Sequence, residues 1–214
     1  MTLGSLFDGS GGFPLAAVLN GIEPVWASDI EPFPVRVTQV RFPDMKHYGD
    51  VCKMRGDKVE PVDIISFGSP CQDLSNAGAK AGLSGSRSSL FYEAIRIIKE
   101  MRDATNGEYP RFAVWENVKG AFSSSGGEDF RLVLEAFCKI KDEGTNVPRP
   151  AGKWASAGGI VGNGFSLCWR LFDAQFWGVP QHRERIYLVA DFASERSGEI
   201  LFEHGGVRAY CGDV

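Results

Sequence analysis

Short apolar runs of strand length alternate with segments of helical spacing along most of this chain, and that alternation narrows the fold more than any other feature. Residues 2–7, 25–28, 62–67, 111–115, 165–172 and 185–190 read as strands, and a weak one near His47 ends at Asp50. Residues 13–19, 34–40, 90–101 and 130–140 read as helices; in the third, Leu90, Ala94, Ile97, Ile98 and Met101 recur at helical spacing. Strand–helix alternation predicts an α/β domain with a mostly parallel sheet. Open sheets of this kind bind ligands beyond the carboxyl ends of their strands. The Gly/Pro/Lys-rich stretch 141–164 reads as an inserted loop.

Composition bounds the rest. The chain has 214 residues, 43% hydrophobic and 23% charged, which suits one large domain with a single sizeable core. It excludes a disordered chain, a coiled coil and a collagen-like repeat. No apolar run is long enough to cross a bilayer, and Met1-Thr2-Leu3-Gly4-Ser5 carries no leader pattern, so a cytoplasmic protein is expected. A net charge of −4 rules out a wholly basic nucleic-acid coat but leaves room for a local basic patch. The five cysteines are widely spaced with no CxxC pair, which fits a reducing compartment and argues against a disulfide framework or a zinc site. The three histidines show no ligand spacing either, so no metal is expected.

Five turn or polar segments each follow a predicted strand, and would line one rim of the sheet: the glycine turn, Asp29, Asp50, Gly68-Ser69-Pro70-Cys71 and Glu116-Asn117. In Phe7-Asp8-Gly9-Ser10-Gly11-Gly12 a strand enters a glycine turn and then a helix, a nucleotide-loop arrangement without the GxGxxG spacing. Asp29, twenty residues after Gly9, can accept both hydroxyls of a ribose. The competing reading is a tight turn with a capping acid. Cys71, directly after Ser-Pro at a strand end, is either an exposed nucleophile or a small buried hydrophobe. The segment 73–88, with Lys80, Arg87 and three glycines, is long and polar, as a basic lid beside a nucleophile would be. Glu116 can hold a heterocyclic ring nitrogen, or simply end a strand. Gln181-His182-Arg183-Glu184-Arg185 opens an apolar strand, so Gln181, Arg183 and Arg185 point the same way, as a planar set for phosphate or a base carbonyl, or as a solvated strand end.

Taken in order, Leu6-Phe7-Asp8-Gly9-Ser10-Gly11-Gly12-Phe13, Gly68-Ser69-Pro70-Cys71-Gln72, Glu116-Asn117-Val118 and Gln181-His182-Arg183-Glu184-Arg185 resemble the DNA methyltransferases that act on carbon 5 of cytosine. The resemblance runs to about Ala190. It implies a Rossmann-like S-adenosylmethionine-dependent methyltransferase fold, a mostly parallel seven-stranded sheet with helices on both faces. It also implies S-adenosylmethionine as cofactor: Phe7, Asp8, Gly9, Gly11 and Gly12 around its methionine part, Asp29 on the ribose, Ile30 against the adenine, Asp50 and Val51 at the adenine edge, and Leu90 touching it from a helix start. Cys71 would add to carbon 6 of a flipped-out cytosine, Glu116 would hold N3 and the exocyclic amine, Arg185 the carbonyl oxygen, and Arg183 would lie near the thiolate or a phosphate. The segment 73–88 would close as a clamp during flipping.

The family places a target-recognition region and a returning C-terminal segment after the Gln-x-Arg-x-Arg strand. Here residues 1–190 are expected to form the catalytic methyltransferase domain and 191–214 a short tail ahead of any such region. Asp73-Leu74 stands where the family has an apolar or aromatic pair. The expected partner is double-stranded DNA, with a second chain supplying target recognition. The alternatives are a cofactor-binding remnant without activity, a non-catalytic binding protein, a transfer-RNA cytosine methyltransferase and a nicotinamide dehydrogenase; the failed GxGxxG spacing counts against the last.

Overall fold

The computed structural model describes residues 1–69 and 90–202. Among the described residues, eight strands form one sheet in the order β3-β2-β1-β4-β5-β8-β7-β6. They are β1 (Thr2–Leu6), β2 (Glu23–Ser28), β3 (Lys46–His47), β4 (Ile64–Phe67), β5 (Phe112–Val118), β6 (Ala157–Gly162), β7 (Phe165–Asp173) and β8 (Glu184–Asp191). The helices are α1 (Gly12–Leu19), α2 (Pro32–Arg41), α3 (Leu90–Ala104), α4 (Glu128–Cys138) and the short α5 (Ser197–Leu201). The first five strands pair in parallel, while β8, β7 and β6 extend the sheet by antiparallel pairing. The α/β expectation holds, with one strand more than the seven anticipated.

That extra strand corrects the reading of 141–164 as a loop. Residues 157–162 form β6, paired antiparallel with β7 along its length. The same segment also sends Val147 and Trp154 inward, and the Trp154 indole donates to the Gly127 carbonyl at 2.8 Å.

Side chains alternate across a strand, so each strand serves two layers. One face carries Leu6, Trp26, Phe67, Trp115, Leu188 and Trp169, and α3 and α4 cover it with Phe91, Ile97, Ile98, Phe130 and Phe137 in one continuous core. The predicted apolar stripe of α3 is the stripe that is buried. On the other face Ser5, Ala27 and Ser66 are buried, and α1 lies against β1 and β2. Farther along that face, Val189 and Cys168 meet Leu201 of α5. Helices on both faces leave the strand ends as the accessible rim.

Candidate active site

Parallel pairing brings the carboxyl ends of β1 to β5 to one rim, and antiparallel pairing brings the start of β8 there, with Val118 opposite Arg185. The turn after β1 holds one half of the site. Phe7 takes a left-handed φ of 53°, unusual for a non-glycine residue, and Gly9 and Gly11 follow at 55° and 86°. A side chain at Gly11 would meet the Thr38 methyl at 2.9 Å. Gly9 and Gly12 instead face open space, which leaves their backbone approachable.

Three rim segments are tied together by hydrogen bonds. Asp8 N donates to the Ser28 carbonyl at 3.1 Å, Gly9 N to Asp29 Oδ2 at 2.8 Å, and Ser28 Oγ to the Gly49 carbonyl at 2.6 Å. Asp29 Oδ1 accepts from Glu31 N at 2.9 Å, so this carboxylate organises two turns while each oxygen keeps a second lone pair for a ligand. Ile30 beside it is 70% exposed, an apolar surface a flat ring could cover. Asp50 caps the single helical turn Val51–Lys53 by accepting from Cys52 N at 2.9 Å. The Val51 side chain is buried in the core, so only its backbone is offered to the rim. Leu90 sits at the first position of α3, packed against the same core.

Asp8 is 7% exposed. Ser5 Oγ donates to its Oδ1 at 2.6 Å, while its Oδ2 is buried with no partner among the described residues. Burial pushes the carboxyl up to about 6, against the pull of the Ser5 hydrogen bond, and the nearby negative charge of Asp29 adds to the rise. The rim therefore carries approachable glycine backbone, a surface carboxylate with spare lone pairs and a buried carboxyl oxygen without a partner among the described residues.

The second half gathers at the ends of β4, β5 and β8. Glu116 Oε1 meets Arg185 Nε at 3.0 Å, both side chains being about one-fifth exposed (22% and 23%). A side chain at Gly68 would stand 3.0 Å from Glu116 Oε2, so the glycine leaves the carboxylate room against the β4 rim. Trp115 Nε1 donates to Ser69 Oγ and Asn117 Nδ2 to the Ser69 carbonyl, each at 3.2 Å. Two neighbours of Glu116 thus grip the residue two positions before Cys71. Cys71 and the segment 73–88 lie outside the described residues, and their expected roles go unplaced.

Arg185 lies on β8, but Arg183 and Gln181 precede the strand, so the alternation argument reaches only Arg185. Arg183 is held by its backbone: its N–H donates to Asp173 Oδ1 at 2.9 Å. Asp173 also accepts from Gln175 N and Gln175 Nε2 and pairs with the His182 ring. Both arginines nevertheless line one groove of about 430 Å³ with Phe172, Trp177 and Tyr187. Reasoning from the sequence placed Gly68 and Ser69 on the rim without a role for either, and missed Asp173. Their signal was a run of small residues after β4 and an acid at the end of β7. Among the described residues, no group of three His, Cys, Asp or Glu side chains could hold a metal ion, and no helix is long and apolar enough to cross a membrane.

Comparison with known proteins agrees with this geometry. The chain is 31% identical over 232 aligned residues to a protein of Escherichia phage P1 named DNA N-6-adenine-methyltransferase, covering 96% of this chain and 30% of that protein. It is 30% identical to the orphan methyltransferase M.SPRI of Bacillus phage SPR, covering 86% of this chain and 36% of the relative. A solved DNA modification methyltransferase encoded within an E. coli prophage superposes with a TM-score of 0.61 at 20% identity, covering 89% of this chain and 46% of that one, which supports the fold. The chain thus spans less than half the length of the proteins it matches. Residues 1–141 match the model of the C-5 cytosine-specific DNA methylases, and on that match the chain belongs to this S-adenosylmethionine-dependent family.

Proposed function

We propose that the chain transfers a methyl group from S-adenosylmethionine to carbon 5 of a cytosine flipped out of double-stranded DNA, with Cys71 as nucleophile. The observation that carries this reading is the junction of β4, β5 and β8, where the Glu116–Arg185 pair lies against Gly68, and Trp115 and Asn117 hold Ser69. Carbon 5 of cytosine is too electron-poor to attack a methyl donor unaided. The Cys71 thiolate forms a bond to carbon 6, and the electron pair of the 5,6 double bond becomes available at carbon 5. Glu116 holds N3 and the exocyclic amine, and Arg185 the carbonyl oxygen, as charge moves onto the ring. Arg183 stands ready for the thiolate or a phosphate. S-adenosylmethionine, when bound, supplies the electrophilic methyl that carbon 5 takes as the bond to sulfur breaks. A base then removes the carbon-5 proton, the double bond re-forms and the Cys71 thiolate departs. Flipping the base costs roughly a few kcal/mol, because carbon 6 is out of reach inside a stack.

In this reading 1–190 is the body of the catalytic domain, with Phe192 and Leu201 packed onto its sheet, the protein works in the cytoplasm, and a second chain supplies target recognition. Exposed Phe176, Trp177 and Val179, at the catalytic rim beside Arg183, support such a docked partner. The adenine chemistry in the phage P1 protein's name is not carried over, since the match covers 30% of that protein.

The test is methyl transfer from labelled S-adenosylmethionine to duplex DNA by the chain with its co-purified partner, followed by base analysis. The label is expected in 5-methylcytosine. Glu116→Gln is expected to slow transfer by ~10²–10³-fold, with cofactor affinity unchanged. Label in adenine, or an inert complex, would overturn the proposal.

A further inference from the structure

Arg183 and Arg185 line one groove, yet only Arg185 lies on β8, so something other than strand pairing sets the direction of Arg183. The β7–β8 ladder ends with Asp173 opposite Glu184. One step further, Ala174 N donates to the Arg183 carbonyl at 3.1 Å, which is half of the exchange that a hydrogen-bonded antiparallel pair makes. The other half ends on a side chain: Arg183 N donates to Asp173 Oδ1 at 2.9 Å. A carboxylate thus stands in for a backbone acceptor and carries the register past the end of the strand.

Its other lone pairs are used inside the same turn. Oδ1 also accepts from Gln175 N at 3.2 Å, while Oδ2 accepts from Gln175 Nε2 at 2.8 Å and pairs with His182 Nδ1. A carboxylate has about four acceptor positions, and here all are taken. The Asp173 side chain is 10% exposed although its neighbours face solvent, the His182 side chain being 71% exposed. With no acceptor left for a ligand, this carboxylate serves by holding other groups in place.

We infer that Asp173 is a positioning residue for methyl transfer: it locks the backbone at Arg183 and so aims that guanidinium into the groove beside Arg185. The inference rests on the cytosine reading above and deepens it by naming what holds one of its residues. Asp173 acts through Arg183, whose own target is a DNA phosphate or the Cys71 thiolate.

Two measurements test this: methyl transfer by the chain with its co-purified partner, and its binding to a duplex with an unpaired cytosine across a salt series. Asp173→Ala is expected to slow transfer by ~10–10²-fold, the effect of displacing a reacting group by about 1 Å. S-adenosylmethionine affinity should stay unchanged, whereas a general loss of structure would lower it too. In an Arg183→Ala background the same substitution should cost nothing further. Asp173→Asn keeps an oxygen for Arg183 N and Gln175 N and should restore most of the rate. If Arg183 meets a phosphate, the loss sits in KM for DNA and the slope of log affinity against log salt falls by about 1. If it meets the thiolate, the loss sits in kcat and the slope is unchanged. Equal rates for the wild type and Asp173→Ala, or the same loss with and without Arg183, overturn the inference and leave the cytosine reading standing. A wild-type complex that transfers no methyl removes both. If the alanine variant does not fold, Asp173→Glu, which moves the acceptors outward by one methylene, is read against the same criteria.

Discussion

A carboxyl group that is 7% exposed makes the stability of this protein depend on pH in a direction opposite to most acids. The folded Asp8 holds its proton up to about 6, against an ordinary value of 3.8, so the native state binds more protons than the unfolded one between those limits. The contribution of Asp8 to stability is therefore higher below about pH 4 and falls as pH rises toward 6. The penalty carried above pH 6 is on the order of 2–3 kcal/mol. Asp8→Asn lacks that titration. In urea unfolding of the cofactor-free chain, the variant should gain about 2–3 kcal/mol on the wild type between pH 4 and pH 7. A difference that stays constant over this range would contradict the burial of a titrating carboxyl. Gly68 acts at this scale too: its missing side chain leaves Glu116 space against β4.

At the scale of elements, the strands and helices with clean periodicity were legible in the sequence. Val62-Asp63-Ile64-Ile65-Ser66-Phe67 announced β4, and the spacing from Leu90 to Met101 announced α3, which runs on to Ala104. β6 was not legible, because Ala157-Gly158-Gly159-Ile160-Val161-Gly162 has the composition of a loop. Its strand character comes from its partner. The Trp169 ring of β7 covers Gly158 and the Phe165 ring covers Gly162, so that a side chain at either glycine would lie 2.3 or 2.0 Å from ring carbon. Large side chains on one strand fill the space that glycines leave on the next. Gly158→Val is therefore expected to destabilise the fold by ~1–3 kcal/mol, read as a lower urea midpoint, with cofactor affinity unchanged. An unchanged midpoint would show that β6 does not pack as described. The shared face read into Gln181, Arg183 and Arg185 failed for a related reason. The Gln-x-Arg-x-Arg pattern looks like alternation, but Asp173 at the end of β7 pins the backbone at Arg183 before the strand begins.

For the whole molecule, one consequence of parallel pairing governs function: every strand from β1 to β5 delivers its following turn to the same rim. The glycine turn, Asp29, Asp50, the Gly68-Ser69 segment and Glu116 were legible as parts of one rim because each closely follows, or ends, a predicted strand. Contacts that cross between strands, such as Trp115 to Ser69, depend on register and were not legible. β8 then brings Arg185 to Glu116 from the antiparallel side, so the glycine turn and the Glu116–Arg185 pair share one rim. The proposed reaction depends on Cys71 as its nucleophile. Its most direct test is covalent trapping on an oligonucleotide whose 5-fluorocytosine lies in an unpaired bubble, where no recognition region is needed to expose the base. With S-adenosylmethionine present, an adduct is expected on the peptide containing Cys71, absent in Cys71→Ser and greatly reduced in Glu116→Gln. No adduct, or one on Cys52, Cys138, Cys168 or Cys211 that persists in Cys71→Ser, would contradict the account.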